Sequence, residues 1–199
     1  MDRFDPHICS ARALLLLLLV CLVLGGCSKP QFNNIDISGA SYARDFALTD
    51  ASGVPRTLGD YRGKLVVLFF GYTHCPDVCP TTLAQLAQAK RILGADGGRV
   101  QVLFVTLDPD RDTPQLLGRY VQAFDPSFVG LTGTGRQIEA TAREFKVFFQ
   151  KVAGPTADSY TLDHSSGSFV FDSVGHVRLY LRDGAPADQI AADLKRLLG

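Results

Sequence analysis

The chain has 199 residues, 46% of them hydrophobic and 20% charged, and its 20 Lys and Arg balance its 20 Asp and Glu. That length suits one globular domain with an appendage, and the apolar content excludes a disordered acidic chain. Without a basic excess to neutralise phosphates, nucleic acid is not an expected partner.

In chain order, the first feature is a leader. Arg3 and Arg12 flank the start of an apolar run from Ala13 to Leu24 that ends in small residues and a cysteine, a layout that predicts a signal peptide over residues 1–26. The run is shorter than the roughly 18–20 apolar residues that span a bilayer, and an uncleaved anchor is the alternative reading. Leu24-Gly25-Gly26-Cys27-Ser28 resembles the lipobox of bacterial lipoproteins, which implies that Cys27 is the lipidated mature N-terminus on the periplasmic face of a membrane. Residues 27–40 are expected as the lipidated N-terminus and a polar tether, and residues 41–199 as the domain. Cys9 and Cys21 leave with the leader, so Cys75 and Cys79 remain as free thiols. In an exported protein such a pair is a disulfide, a metal site, or one exchanging with the other.

Leu65–Phe70 and Val100–Leu107 are continuous apolar runs of the kind that fill buried strands. Between them Leu83, Leu86, Ala87 and Leu93 repeat at helical spacing, with Gly94 as a stop, which predicts a strand–helix–strand crossover in a parallel sheet. Thr113 and Pro114 announce a second helix as cap and first helical residue, with Leu116, Leu117, Tyr120, Val121 and Phe124 on its apolar face. Thr134 and Gln137 form a capping-box pattern for a third, running to about Phe145. Val147–Val152 and Ser168–Phe171 are expected as strands, the latter joined to Val177–Tyr180 by the Asp172-Ser173-Val174-Gly175 turn. A last helix begins at Pro186 and carries Ile190, Leu194 and Leu197 on one side. The pattern is that of an α/β protein with a mixed central sheet flanked by helices, the thioredoxin-like arrangement.

The first buried strand runs into Gly71-Tyr72-Thr73-His74-Cys75-Pro76-Asp77-Val78-Cys79-Pro80, with a helix following. Strand carboxyl ends gather ligand sites in α/β sheets, and a thiol at a helix N-terminus meets free N–H groups that favour thiolate. Pro80 fits the first turn, placing Cys79 at or near the helix start. Two soft sulfur donors facing one small volume suit Cu(I) or Zn(II), although the Cys-x-x-x-Cys spacing alone equally allows a disulfide staple. The second element is Tyr160-Thr161-Leu162-Asp163-His164-Ser165-Ser166, expected as a loop ahead of the strand Ser168–Phe171. In a thioredoxin-like fold that loop lies beside the cysteine loop, and where thiol oxidoreductases carry a cis-proline this chain has His164. His74 is a rival ligand, but in an extended loop its side chain points opposite to that of Cys75. His176 follows a hairpin turn, where exposure is the default. The Asp108–Pro114 stretch lacks the glycine turn and terminal glutamate of a calcium loop and is a turn and helix-start signal.

Gly71–Pro80, Leu107-Asp108-Pro109-Asp110-Arg111-Asp112-Thr113-Pro114, Gly130-Leu131-Thr132-Gly133 and Tyr160–Ser165 resemble the motifs of the Sco/SenC family, in order, over about Tyr42 to Leu198. The resemblance implies a thioredoxin-like fold in which Cys75, Cys79 and His164 hold copper, as Cu(I) or Cu(II). It further implies delivery of copper to the copper A subunit of cytochrome c oxidase, or reduction of that subunit's thiols, with other periplasmic copper carriers as further partners. Cys75 and Cys79 are then also a redox-active pair whose oxidation removes two ligands. Asp77 and Asp163, beside ligand positions, are candidates for orienting them, with a turn or surface role as the alternative. Ser28 after the lipidated cysteine matches the enteric outer-membrane sorting rule, whereas an oxidase partner places the anchor in the inner membrane, the reading adopted. The competing function is a membrane-anchored thiol-disulfide oxidoreductase. Against it stand the three-residue spacing and His164. A thiol peroxidase and a zinc-stabilised or disulfide-stapled binding module are further alternatives.

Overall fold

In the computed structural model, residues 31–156 and 159–199 are described, so the leader, Cys27 and the start of the expected tether lie outside the described residues. The described elements are β1 (Ile35–Asp36), β2 (Leu48–Asp50), β3 (Pro55–Arg56), β4 (Leu65–Gly71), α1 (Val78–Ile92), β5 (Val100–Thr106), α2 (Pro114–Gln122), β6 (Val129–Thr132), α3 (Gly135–Glu144), β7 (Phe149–Ala153), β8 (Tyr160–His164), β9 (Ser168–Phe171), β10 (Val177–Leu181) and α4 (Ala187–Leu198). Eight strands form one mixed sheet in the order β1-β10-β9-β4-β5-β6-β2-β3, in which β4, β5 and β6 are parallel and the other pairings antiparallel. β7 and β8 pair with one another in a separate two-stranded sheet.

The central strands obey the apolar runs. Every residue of β4 and β5 is buried, as strands covered on both faces require. Phe70, Phe145 and Phe169 stack edge-on with ring centroids 5.2–6.4 Å apart, a geometry that adds directional preference to their burial. Helix starts follow their signals. Thr113 Oγ1 accepts from the Leu116 N–H at 3.3 Å with Pro114 next in line, and Thr134 and Gln137 close a reciprocal capping box. α1 ends as expected at Gly94, whose φ of +58° suits a residue without a Cβ.

Two expectations are corrected. The stretch read as tether is structured from Phe32, where the compact unit begins, and not from residue 41. Ile35 pairs with Tyr180 and Asp36 with Leu179, while Phe32, Ile37 and Ala40 pack against the core. The fully buried carboxylate of Asp193 on α4 accepts four 2.9 Å hydrogen bonds, from the backbone N–H and side-chain amide of both Asn33 and Asn34. Nothing local marks this segment as part of the domain, because its strand pairing and the Asp193 carboxylate lie near the other end of the chain. The second correction is Tyr160–His164, which is a strand and not a loop: Phe149 faces His164 and Ala153 faces Tyr160 in an antiparallel arm. Thr161 and Asp163 are exposed while Leu162 is buried, the period of two that a half-covered strand shows.

Candidate metal centre

Strand β4 delivers the chain to the site. Its last residue, Gly71, sits where any side chain would collide: a Cβ there would lie 2.7 Å from Cys79 Sγ and 2.9 Å from the Phe104 ring. Glycine is therefore what lets the Cys79 sulfur tuck against the strand end. The chain then turns, with the Cys75 N–H donating to the Tyr72 carbonyl at 3.2 Å, and enters α1, whose second residue is Cys79 and whose third, Pro80, needs no hydrogen-bond partner for its nitrogen. One free N–H of the helix start, that of Cys79, donates to Cys75 Sγ at 3.4 Å. Cys75 is half-buried and Cys79 fully buried, and neither is in a disulfide.

The arm β7–β8 brings in the third group. His164, at the end of β8, places Nε2 3.8 Å from Cys79 Sγ, and its Nδ1 lies 2.9 Å from the Ser165 carbonyl oxygen. A carbonyl only accepts, so Nδ1 carries a proton, and in the neutral imidazole Nε2 is then the nitrogen whose lone pair faces the sulfur. The Tyr72 ring meets the imidazole edge-on with centroids 6.0 Å apart, and Phe69 lies behind it at 6.4 Å. Ligand atoms of Cys75, Cys79 and His164 all fall within 4.8 Å of one another.

Burial outweighs the helix end at Cys79. Desolvation pushes its thiol up, against the opposing effect of a backbone hydrogen bond from Tyr72, and the nearby Cys75 and Asp112 push in the same direction as burial. The expected preference for thiolate thus does not hold for Cys79 in the metal-free protein. A bound cation reverses this balance, because it supplies the positive charge that the apolar surroundings withhold.

Of the remaining sequence candidates, Asp77 stands exposed at the N-cap position of α1 without a side-chain capping bond, and Asp163 is exposed where His164 is half-buried. Alternation along β8 puts Asp163 on the face opposite His164. Among the described residues, neither carboxylate hydrogen-bonds to a ligand residue. A residue that sequence reasoning passed over holds the cysteine loop instead. Asp112, fully buried, accepts from Thr73 N–H at 3.0 Å, Thr73 Oγ1 at 2.6 Å and Thr106 Oγ1 at 2.6 Å, binding the loop to the end of β5. Its place in the Asp108–Pro114 turn was the available signal. His74 stays outside the ligand group, with Nδ1 3.1 Å from Thr73 Oγ1 and half its side chain exposed, and His176 is exposed in the β9–β10 turn. Phe69, Phe70 and Phe145 are fully buried, Phe149 packs on the core, and Phe148 is exposed beside the arm.

Two sulfurs and one imidazole nitrogen converging at a strand end, one of the cysteines half-buried, form a soft three-donor set suited to copper or zinc and too poor in oxygen for hard cations. The fold and this cluster define a thioredoxin-like domain with a two-cysteine, one-histidine metal-type centre in place of a two-residue-spaced redox motif. The SCO1/SenC family model matches residues 36–199, and the chain belongs to that family. It is 41% identical over 156 residues to the mitochondrial SCO2 homolog of Bos taurus, covering 76% of this chain and 58% of that protein. It is 37% identical over 158 residues to an SCO2-like protein of Rickettsia felis, covering 78% and 75% respectively. The chain thus spans less than two thirds of its mammalian relative. Among solved structures, Bradyrhizobium japonicum ScoI with copper bound matches with a TM-score of 0.70 at 37% identity, over 77% of this chain and 97% of that one. Apo Sco1 from Thermus thermophilus matches at 0.75 and 38%, over 86% and 99%.

Proposed function

We propose that this protein binds copper through Cys75, Cys79 and His164 and delivers it to the copper A site of cytochrome c oxidase. The observation that carries the reading is the convergence of these three donors within 4.8 Å, with Nε2 of His164 turned toward Cys79 Sγ. A relative of 37% identity with copper bound supports the choice of metal. Two thiolates and one imidazole satisfy Cu(I) without closing its coordination, so an acceptor's ligands can enter on the half-buried Cys75 side and copper can pass by ligand exchange. Closing the Cys75–Cys79 disulfide removes two of the three donors, so the redox state of the pair controls loading. The alternative, a thiol-disulfide oxidoreductase on the same residues, is disfavoured because the Cys79 thiol is buried and pushed up, which lowers its reactivity at neutral pH.

Metal analysis of the reduced protein is the test. The parent is expected to retain roughly one copper per chain after gel filtration, and Cys75→Ser and Cys79→Ser are expected to lose it. A parent that keeps zinc and rejects copper overturns the reading in favour of a zinc module.

The same reading places the protein at the periplasmic face of the inner membrane, held by lipid on Cys27 after removal of residues 1–26. Cys27→Ala, expressed with its leader, is expected to appear in the soluble fraction with copper binding unchanged, because the site is built entirely from residues of the Phe32–Gly199 unit. A folded Cys27→Ala protein that stays with the membrane would instead identify the leader as a permanent anchor.

A further inference from the structure

The arm that carries His164 has no strand pairing with the main sheet, yet the imidazole must be held to a fraction of an ångström to serve as a ligand. Leu162 gives the arm a buried apolar foot, but apolar contact is non-directional and does not set an orientation. Besides a hydrogen bond between the Tyr72 side chain and the Leu162 backbone, the arm's directional contacts gather at the other end of β8. Tyr160 donates its hydroxyl to Asp108 Oδ1 at 2.7 Å, and Arg111 donates Nε to Asp108 Oδ2 and Nη1 to the Tyr160 carbonyl at 3.0 Å. The guanidinium lies flat enough on the Tyr160 ring for its carbon to be 3.6 Å from the centroid, and it also reaches the Tyr72 ring at 5.8 Å. Asp108 is fully buried, and Arg111 Nη2 is buried without a partner. The guanidinium is therefore held by Asp108 and Tyr160, with a quarter of the Arg111 side chain exposed. Tyr72 in turn is the ring that meets His164 edge-on.

We propose that Asp108, Arg111 and Tyr160 form a clamp that positions His164, acting through the Tyr160 end of β8 and through the Tyr72 ring. None of the three touches the metal position, so these are positioning residues, and the proposal rests on the copper-site reading above only for its metal-binding readout. The charge pair is well suited to this work, since a planar guanidinium holding a carboxylate, a carbonyl and an aromatic face together leaves one orientation of the arm. In the Asp108–Pro114 turn, the same three-residue step that lets Arg111 reach Asp108 leaves Asp112 free to hold the cysteine loop. One turn thus positions both halves of the ligand set.

The test uses Tyr160→Phe, which keeps the ring and removes a single hydroxyl, and Arg111→Gln, each alone and combined with His164→Ala. In the metal-free parent, proton NMR is expected to show cross-relaxation between the Tyr72 ring and the His164 imidazole, lost or strongly weakened in Arg111→Gln. On copper titration, Arg111→Gln is expected to weaken Cu(II) binding about tenfold, with Cu(I) binding much less affected and no further loss in the His164→Ala background. Tyr160→Phe is expected to show the same pattern at smaller size, and covers the case in which Arg111→Gln does not fold. Unchanged cross-relaxation in a folded Arg111→Gln protein overturns the clamp, as do equal losses for both oxidation states or full additivity with His164→Ala. A parent that binds no copper sinks the copper-site reading separately, while the metal-free NMR comparison still decides the clamp.

Discussion

Replacing His164 with alanine is expected to weaken Cu(II) binding by at least about 100-fold, since loss of residues that merely orient a ligand already costs 10–100-fold. Cu(I) binding should fall far less. A pair of thiolates holds Cu(I) in two-coordinate form, whereas Cu(II) requires more donors, nitrogen among them. The histidine is also separable from thiol chemistry: both sulfurs remain in the variant, so a Cys75–Cys79 disulfide should still form and be reduced. Titrations with copper in each oxidation state, run beside a disulfide-reduction assay on the same preparations, measure this. A variant that binds Cu(II) like the parent but loses reductase activity would assign His164 to thiol chemistry and promote the oxidoreductase.

The second large effect is expected from Gly71→Ala, although the residue carries no functional group. The added methyl would sit 2.7 Å from Cys79 Sγ and 2.9 Å from a fully buried Phe104 ring, neither of which can retreat into solvent. Overpacking of this kind costs about 1–3 kcal/mol of stability. The sulfur must give way for ordinary contact to be restored, and it is a proposed ligand, so copper affinity is expected to drop by at least about tenfold, the lower end of what a disturbed ligand environment costs. Thermal unfolding and competition titration measure the two losses. An alanine variant with parental affinity would mean that Cys79 is not held by this contact.

Much of this was legible in the sequence because it was local. The apolar runs of β4 and β5, the Thr113-Pro114 and Thr134–Gln137 helix starts and the glycine stop at Gly94 each announce themselves within a few residues, and each stands where expected. Cys75 and Cys79 stood out as a thiol pair at a strand end and His164 as the residue in the cis-proline position of a thioredoxin-like fold, and the fold brings their ligand atoms together. The elements that were missed depend on distant partners. β1 is only two residues long and exists because β10 lies beside it, and β2 and β3 have three and two residues, the latter beginning with a proline. Reading Tyr160–His164 as a loop failed for the same reason, since six residues separate it from its partner β7 in the chain and they carry no two-residue hairpin signature. Asp77 and Asp163 were chosen for nearness in sequence, but Asp77 stands exposed at the start of α1 and Asp163, next to His164 in a strand, points the other way. Asp112, 33 residues beyond Cys79 in the chain, does the holding instead.

The buried Cys79 thiol also makes the centre a proton–metal exchanger. Because burial keeps that sulfur protonated in the metal-free protein, copper can bind as a thiolate complex only by expelling its proton. Loading is thus favoured as pH rises and opposed as it falls, by about tenfold in apparent affinity per pH unit for each proton displaced, below the thiol's own titration. A copper titration across pH is expected to show binding weaken as pH falls, without any reductant, oxidant or competing ligand.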